Sequence, residues 1–305
     1  MTEVHLTEAV LLAHALVSSV ADEQGVRVLF IKGPAAVLQE LRAARTSVDV
    51  DALVDPARRD VLAARLTDLG WVDEHPYTSP TVLPLHSQTH RHPLWACELD
   101  LHDRFPGFFD DPQDVFERLW LRRDTVRVAE REISCPDRGG HALVLALHSL
   151  RDPHEPGKVA ELDLLVERVR ERFDEASLRD LAELAAGLGA ADTAAPFLDR
   201  VAAPQVGRGS LRGEELRAWA LRTQPDASVA GWLDELRRLP KRRWPRFLWY
   251  AAVLTEDELR VDDPGLAPGR RALALARLRR LRRGMRAVPT AWRSLRSADR
   301  SGPER

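Results

Sequence analysis

Two short alternating stretches hold the side chains best spaced for chemistry. In VDVDALV, Asp49 and Asp51 are separated by one residue. An extended strand turns successive side chains to opposite faces, so the two carboxylates share a face with Cα atoms about 6.5–7 Å apart. Carboxylates so placed can share divalent cations, and a third acid from a neighbouring strand completes a site for two ions about 3.5–4 Å apart. The second stretch, ELDLH, supplies that acid. Glu98, Asp100 and His102 share one face, while Trp95, Cys97, Leu99 and Leu101 share the other. Spacing alone does not choose between Glu98 and Asp100. Mg²⁺ or Mn²⁺ is the expected cofactor, because a hard cation takes few carboxylates and completes its shell with water and phosphate oxygens.

A phosphate-binding element lies upstream. Val26–Ile31 ends in Lys32-Gly33-Pro34. Gly33 lets the backbone approach a phosphate closely, and the helix that follows presents N–H groups to that anion. Only three of the 45 basic residues are lysines, Lys32, Lys158 and Lys241, so each marks a place where a compact charge is wanted. Arg45, just before the first acid pair, suits either a triphosphate or an ion pair with Asp49.

The elements that must carry these groups follow from periodicity. Apolar residues at helical spacing predict a helix over 6–23, ended by Gly25. A buried strand is expected at 26–31, a helix at 35–43, and a strand at 48–54. A helix to about 69 and a strand from Trp71 come next. Residues 82–102 read as a hairpin turning near Arg91-His92-Pro93, followed by a helix at 111–119 and one strand at 125–134. From Gly139 the period is helical throughout, with segments at 140–151, 157–172, 176–188, 191–201, 212–222, 228–238, 244–254 and 270–287. This predicts an α+β catalytic domain with a mixed β-sheet over 1–137, an all-helical domain over 138–288, and a flexible basic tail over 289–305.

Lys32-Gly33, Arg45, Asp49-x-Asp51 and Asp100-x-His102, in that order, resemble the uncharacterised nucleotidyltransferase family of the DNA-polymerase-β-like superfamily. The resemblance implies that Asp49, Asp51 and Asp100 are the metal ligands and catalytic residues. It assigns Lys32, Gly33, Arg45 and His102 to the nucleotide. In the helical half, His148 and Lys158 through Asp163-Leu164 resemble the family's weaker pattern, which adds Lys158 and Asp163 to the nucleotide-binding set. The implied activity is transfer of a nucleoside monophosphate from an NTP, with ATP the leading candidate, and release of pyrophosphate. The acceptor is a small molecule, peptide, protein or tRNA. The wider superfamily's loop usually reads Gly-Gly or Gly-Ser; here Lys32 replaces the first small residue and Pro34 follows Gly33, so this loop offers phosphate no hydroxyl. The alternative from another class is a catalytically inactive binding module of the same fold, tethered through its basic C-terminus to RNA or a protein.

Other patterns exclude more than they suggest. No G-x-x-x-x-G-K-[ST] loop occurs. His86, His90, His92 and Cys97 fit no common zinc-finger spacing, and two cysteines make no disulfide framework. No apolar run is long enough to span a membrane and the N-terminus lacks a signal-peptide charge pattern, so a cytoplasmic protein is expected. The net charge of −2 conceals an asymmetry: twelve arginines and two acids over 270–305 give about +10, which leaves about −12 for the remainder. An anionic partner is one use for that segment. The other is a closing helix that packs Leu275, Leu278, Leu281 and Met285 onto the helical half.

Overall fold

The computed structural model of the chain describes residues 5–74, 87–211, 213–224, 227–252, 259, 267 and 269–300. The first helix, α1 (Leu6–Gln24), buries Ala9, Val10, Ala13, Val17, Val20 and Ala21 along one face. Gly25 ends it at φ 61°, its N–H returning to the carbonyls of Ala21 and Asp22. Five strands form the main sheet: β1 (Val28–Phe30), β2 (Asp49–Val54), β3 (Val72–Glu74), β4 (Ser87–Arg91) and β5 (Glu98–His102). Their order is β1-β2-β5-β4-β3. Only β2 and β5 run parallel, so the sheet is mixed. Helix α2 (Gly33–Leu38) links β1 to β2, and α3 (Arg59–Asp68) links β2 to β3.

Alternation gives the sheet a greasy face and a chemical face. Val28, Phe30, Val50, Ala52, Val54, Leu99 and Leu101 join one core with α1 and with Leu62 and Leu66 of α3. Asp49, Asp51, Glu98, Asp100 and His102 must then lie on the opposite face. The hairpin expected at 82–102 forms from Ser87 onward; residues 82–86 lie outside those described.

After α4 (Pro112–Leu121) the single strand expected at 125–134 is two strands. β6 (Asp124–Val128) and β7 (Arg131–Cys135) pair antiparallel around Ala129 and Glu130, both at positive φ (46° and 62°). No glycine or asparagine announces that turn, which is why it reads as continuous strand. α2 is also shorter than expected and stops at Leu38.

The remainder is helical: α5 (Arg138–Leu150), α6 (Pro156–Arg172), α7 (Glu175–Gly187), α8 (Ala195–Arg200), α9 (Gly213–Arg222), α10 (Ala227–Arg238), α11 (Trp244–Ala252) and α12 (Arg270–Arg300). The described residues group into two compact units, 5–74 with 87–211, and 213–300. The first holds the sheet and α1–α8, with α5 packed on α6 and α7. In the second, α12 packs on α9 and α10, burying Ala291 and Leu295 against Leu221 and Ala230. The apolar stripe of α12 is arranged otherwise than the sequence suggests. Leu275, Leu278, Leu281 and Met285 are exposed, and the helix continues through Pro289 to Arg300 where a loose tail was expected. Among the described residues no helix is long and apolar enough to cross a membrane.

Candidate active site

The parallel pairing of β2 with β5 sets Asp51 directly opposite Asp100, and Asp49 opposite Glu98. Asp51, Asp100 and His102 each offer a ligand atom, all within 4.8 Å of one another. His102 donates through Nε2 to Asp51 Oδ1 at 3.0 Å, and the Lys32 ammonium lies 2.5 Å from the same oxygen. Asp100 accepts from Thr89 Oγ1 of β4 at 2.6 Å. Glu98 instead pairs with Arg91, whose Nε donates to Oε1 at 2.7 Å. The register therefore gathers Asp100 with Asp51 and leaves Glu98 on Arg91. Asp49 belongs to the same face, and the charges of Asp51, Asp100 and Lys32 all act on it.

The acids are held in different protonation regimes. Burial would raise Asp51, but the Lys32 ammonium and then His102 outweigh it and keep its carboxyl below the usual range. Asp49 is pushed up to about 6 by burial and then by the Asp51 charge. Asp100 is also raised, by burial first, against the pull of the Thr89 hydrogen bond. Three carboxylates and one imidazole thus have one ammonium among them, and the two acids lacking an ion pair are the raised ones. That donor set fits a hard divalent cation, for which like-charged carboxylates gather at such a cost.

Lys32 is held from three sides. It sits at φ 63°, ψ −146°, a conformation that costs a side-chain-bearing residue about 1–3 kcal/mol. Its backbone N–H donates to His141 Nε2 at 2.7 Å, and its carbonyl accepts from Ala36. With Nε2 accepting, His141 carries its proton on Nδ1 and donates it to Gln39 Oε1 at 2.7 Å. Gln39 passes the chain on through Nε2 to the carbonyl of Pro136 (2.8 Å) and to Asp124 (3.0 Å). Burial, then the Lys32 charge, holds the His141 imidazole down at about 3, so it stays neutral. This buried relay from the β6–β7 hairpin fixes the bend that sends the lysine side chain onto Asp51. Sequence reasoning missed His141, which reads there as one residue of an apolar helix. Gly33 follows at φ 45°, where glycine is favoured.

The other expected nucleotide-binding residues lie elsewhere in the first unit. Arg45 pairs with Glu161 and not with Asp49. Lys158 Nζ lies 2.7 Å from His148 Nε2 and 3.4 Å from Glu161. Asp163 is exposed and pairs with Arg200 at 2.7 Å, making no contact with the acids. His90, His92 and Cys97 form no metal-type cluster among the described residues. The Cys97 thiol is buried and pushed up to about 11.

Three solved structures resemble the chain distantly. The lincosamide antibiotic adenylyltransferase LnuA with lincomycin bound is 17% identical over 51% of this chain and 94% of its own, with a TM-score of 0.34. The antibiotic-resistance factor ANT(2'')-Ia is 17% identical over 65% and 94%, with a TM-score of 0.40. An antigenic nucleotidyltransferase-like protein from Paracoccidioides brasiliensis is 12% identical over 65% and 94%, also at 0.40. Among functionally curated proteins there is no significant match. Residues 5–194, which carry every group described above except the Arg200 partner of Asp163, match the description of the uncharacterised nucleotidyltransferase family, and by that match the chain belongs to it.

Proposed function

We propose that the chain is a metal-dependent nucleotidyltransferase that moves a nucleoside monophosphate from an NTP, ATP first among them, to an acceptor in the cytoplasm. The observation that carries this reading is the pairing of Asp51 with Asp100 across the two parallel strands, with the Lys32 ammonium on Asp51. An acceptor nucleophile attacks the α-phosphorus in line, the bond from that phosphorus to the bridging oxygen breaks, and the oxygen leaves with pyrophosphate. Asp49, Asp51 and Asp100 would hold Mg²⁺ or Mn²⁺, which supplies positive charge to the phosphoryl oxygens when bound.

The chain's own residues do the remainder. Asp100 accepts the acceptor's proton, with Thr89 fixing its carboxylate. His102 orients Asp51. Lys32 offsets phosphate charge, and Gly33 leaves the backbone beside it free of a Cβ. Arg45 and Lys158 act on the phosphate tail. The catalytic residues come from 1–137, and α5 and α6 of the helical segment that follows line the nucleotide cleft.

The test is to incubate the protein with each labelled NTP, Mg²⁺ and pools of small-molecule, peptide, protein and tRNA acceptors. Label transferred with one pyrophosphate per event, and lost in Asp51→Asn, is the expected result. Metal-dependent NTP binding without pyrophosphate release would instead fit the inactive binding module. Absence of any NTP-dependent stabilisation across four nucleotides would remove the enzyme reading and leave an inactive module tethered to RNA or a protein.

A further inference from the structure

A second cluster of charge lies where the loop after α2 meets α5 and α6. Glu161 stands among three cations. Arg42 and Arg45 both donate to its Oε1, Arg42 at 3.2 Å, and Lys158 lies 3.4 Å from Oε2. Two of the three are not freely solvated, since the Arg42 side chain is 9% exposed and that of Lys158 14%, while Arg45 reaches in from the surface at 50%. One carboxylate against three cations leaves two positive charges in excess. Among the described residues none of the three cations has another acid.

His148 adds an independent sign that something is missing. Its Nε2 accepts from the Lys158 ammonium, so its proton resides on Nδ1. That Nδ1 is buried and has no hydrogen-bond partner. A buried donor without an acceptor is unfavourable, and here it belongs to a ring already pressed against a cation. The same helix, α5, holds His141 against the Lys32 backbone N–H and His148 two turns further on, which ties the cluster to the element that braces Lys32.

We propose that Arg42, Arg45, Lys158 and His148 form the subsite for the pyrophosphate half of the NTP, and that Glu161 holds it as an internal anion which the β- and γ-phosphates displace. This rests on the nucleotidyltransferase reading and extends it to Arg42, His148 and Glu161. A carboxylate brings one charge and two oxygens, and both are already taken up here. A diphosphate brings more charge and more oxygens, enough to answer the excess cations and the orphan Nδ1–H together. In the reaction, the bridging oxygen that leaves the α-phosphorus stays with the diphosphate, whose charge rises as the bond breaks. Glu161 returning to its arginines then helps expel that product.

The experiment is calorimetric titration of inorganic pyrophosphate, with and without Mg²⁺, into the full-length protein and its variants. Glu161→Gln should bind pyrophosphate about tenfold tighter than wild type, and Arg42→Gln about tenfold weaker. Tighter binding cannot arise from a damaged fold, so Glu161→Gln keeps the test decisive even if Arg42→Gln melts early. Orthophosphate should bind far more weakly than pyrophosphate to every variant. Unchanged or weaker pyrophosphate binding in Glu161→Gln overturns the proposal, because it would make Glu161 a strut for the arginines. Transfer activity with pyrophosphate binding indifferent to both residues would sink the subsite and leave the enzyme standing. The expected titrations without any transfer would do the reverse.

Discussion

The two compact units of this chain bury different things. In the first, Trp71, Phe30, Phe116 and Phe197 are fully buried, and among the polar residues enclosed with them Lys32, Gln39, Asp51, His102 and His141 belong to the candidate site. In the second, the buried apolar residues among those described are Leu221, Ala230, Leu259, Ala291 and Leu295, while a run of leucines on α12 faces outward. A site whose acids must be held close against their own repulsion needs walls that do not yield. Dense packing supplies such walls. The site is built in the unit that can hold it.

That contrast can be broken most forcefully at the acids. Asp51→Asn or Asp100→Asn should lower nucleotidyl transfer by more than about 10²-fold with the fold retained, since either removes a ligand of the proposed metal site. Arg279→Ala on α12 should leave the rate unchanged, measured as pyrophosphate released per minute. Comparable losses from both would mean that the second unit takes part in chemistry.

Packing offers the next largest difference. Leu66→Ala, in the core beneath the sheet, should destabilise the first unit by about 2–5 kcal/mol in urea titration. Leu295→Asp should loosen α12 from α9 and α10, seen as faster amide exchange confined to those helices. Leu278→Ser, on the exposed stripe, should change stability by less than about 0.5 kcal/mol. A large effect there would show that the stripe is covered.

Proton linkage gives a third, smaller contrast. All ten histidines lie in residues 1–154, so acid between pH 7 and 5 bears on the first unit alone through this residue type. The His141 imidazole is lowered from about 6.5 to about 3, so folding favours its neutral form. Its contribution is complete above about pH 6.5 and drains away as pH falls toward 3, at up to about 1.4 kcal/mol per pH unit. Asp49, raised to about 6, acts in the opposite sense and gains stability as it protonates. The His141 share is therefore read as wild type minus His141→Gln in urea titrations at pH 7, 6 and 5. A difference independent of pH would show that His141 takes up its proton as readily in the folded state as in the unfolded chain.

Much of the first unit was legible in the sequence because strand alternation is a strict code. VDVDALV and ELDLH each assign faces without ambiguity, and the faces appear as read. Asp100 and Glu98 were not separable, because both share a face, and only the register across β2 and the competing Arg91 distinguish them. His141 was invisible for a different reason. Its partners lie 109 and 102 residues away, and a histidine in an apolar helix looks alike whether it fills space or holds a backbone N–H. On α12 arginines and leucines occur around most of the helix, so periodicity offers several faces, and Ala291 with Leu295 are the residues buried.

The left-handed bend at Lys32 sets folding and function against each other at a single position. Glycine would suit φ 63° with no side-chain penalty and would still present its N–H to His141. Relieving that strain would be offset by leaving Asp51 buried without its ammonium, with the His102 N–H as its remaining partner, a deficit that a bound cation would answer. A chain with glycine at this position should consequently lean on metal for its stability as well as for its chemistry. Its melting temperature would climb steeply with Mg²⁺ where that of the wild type climbs gently. Lys32 in this sense is a resident counter-ion that lets the acids assemble with no bound cation among them.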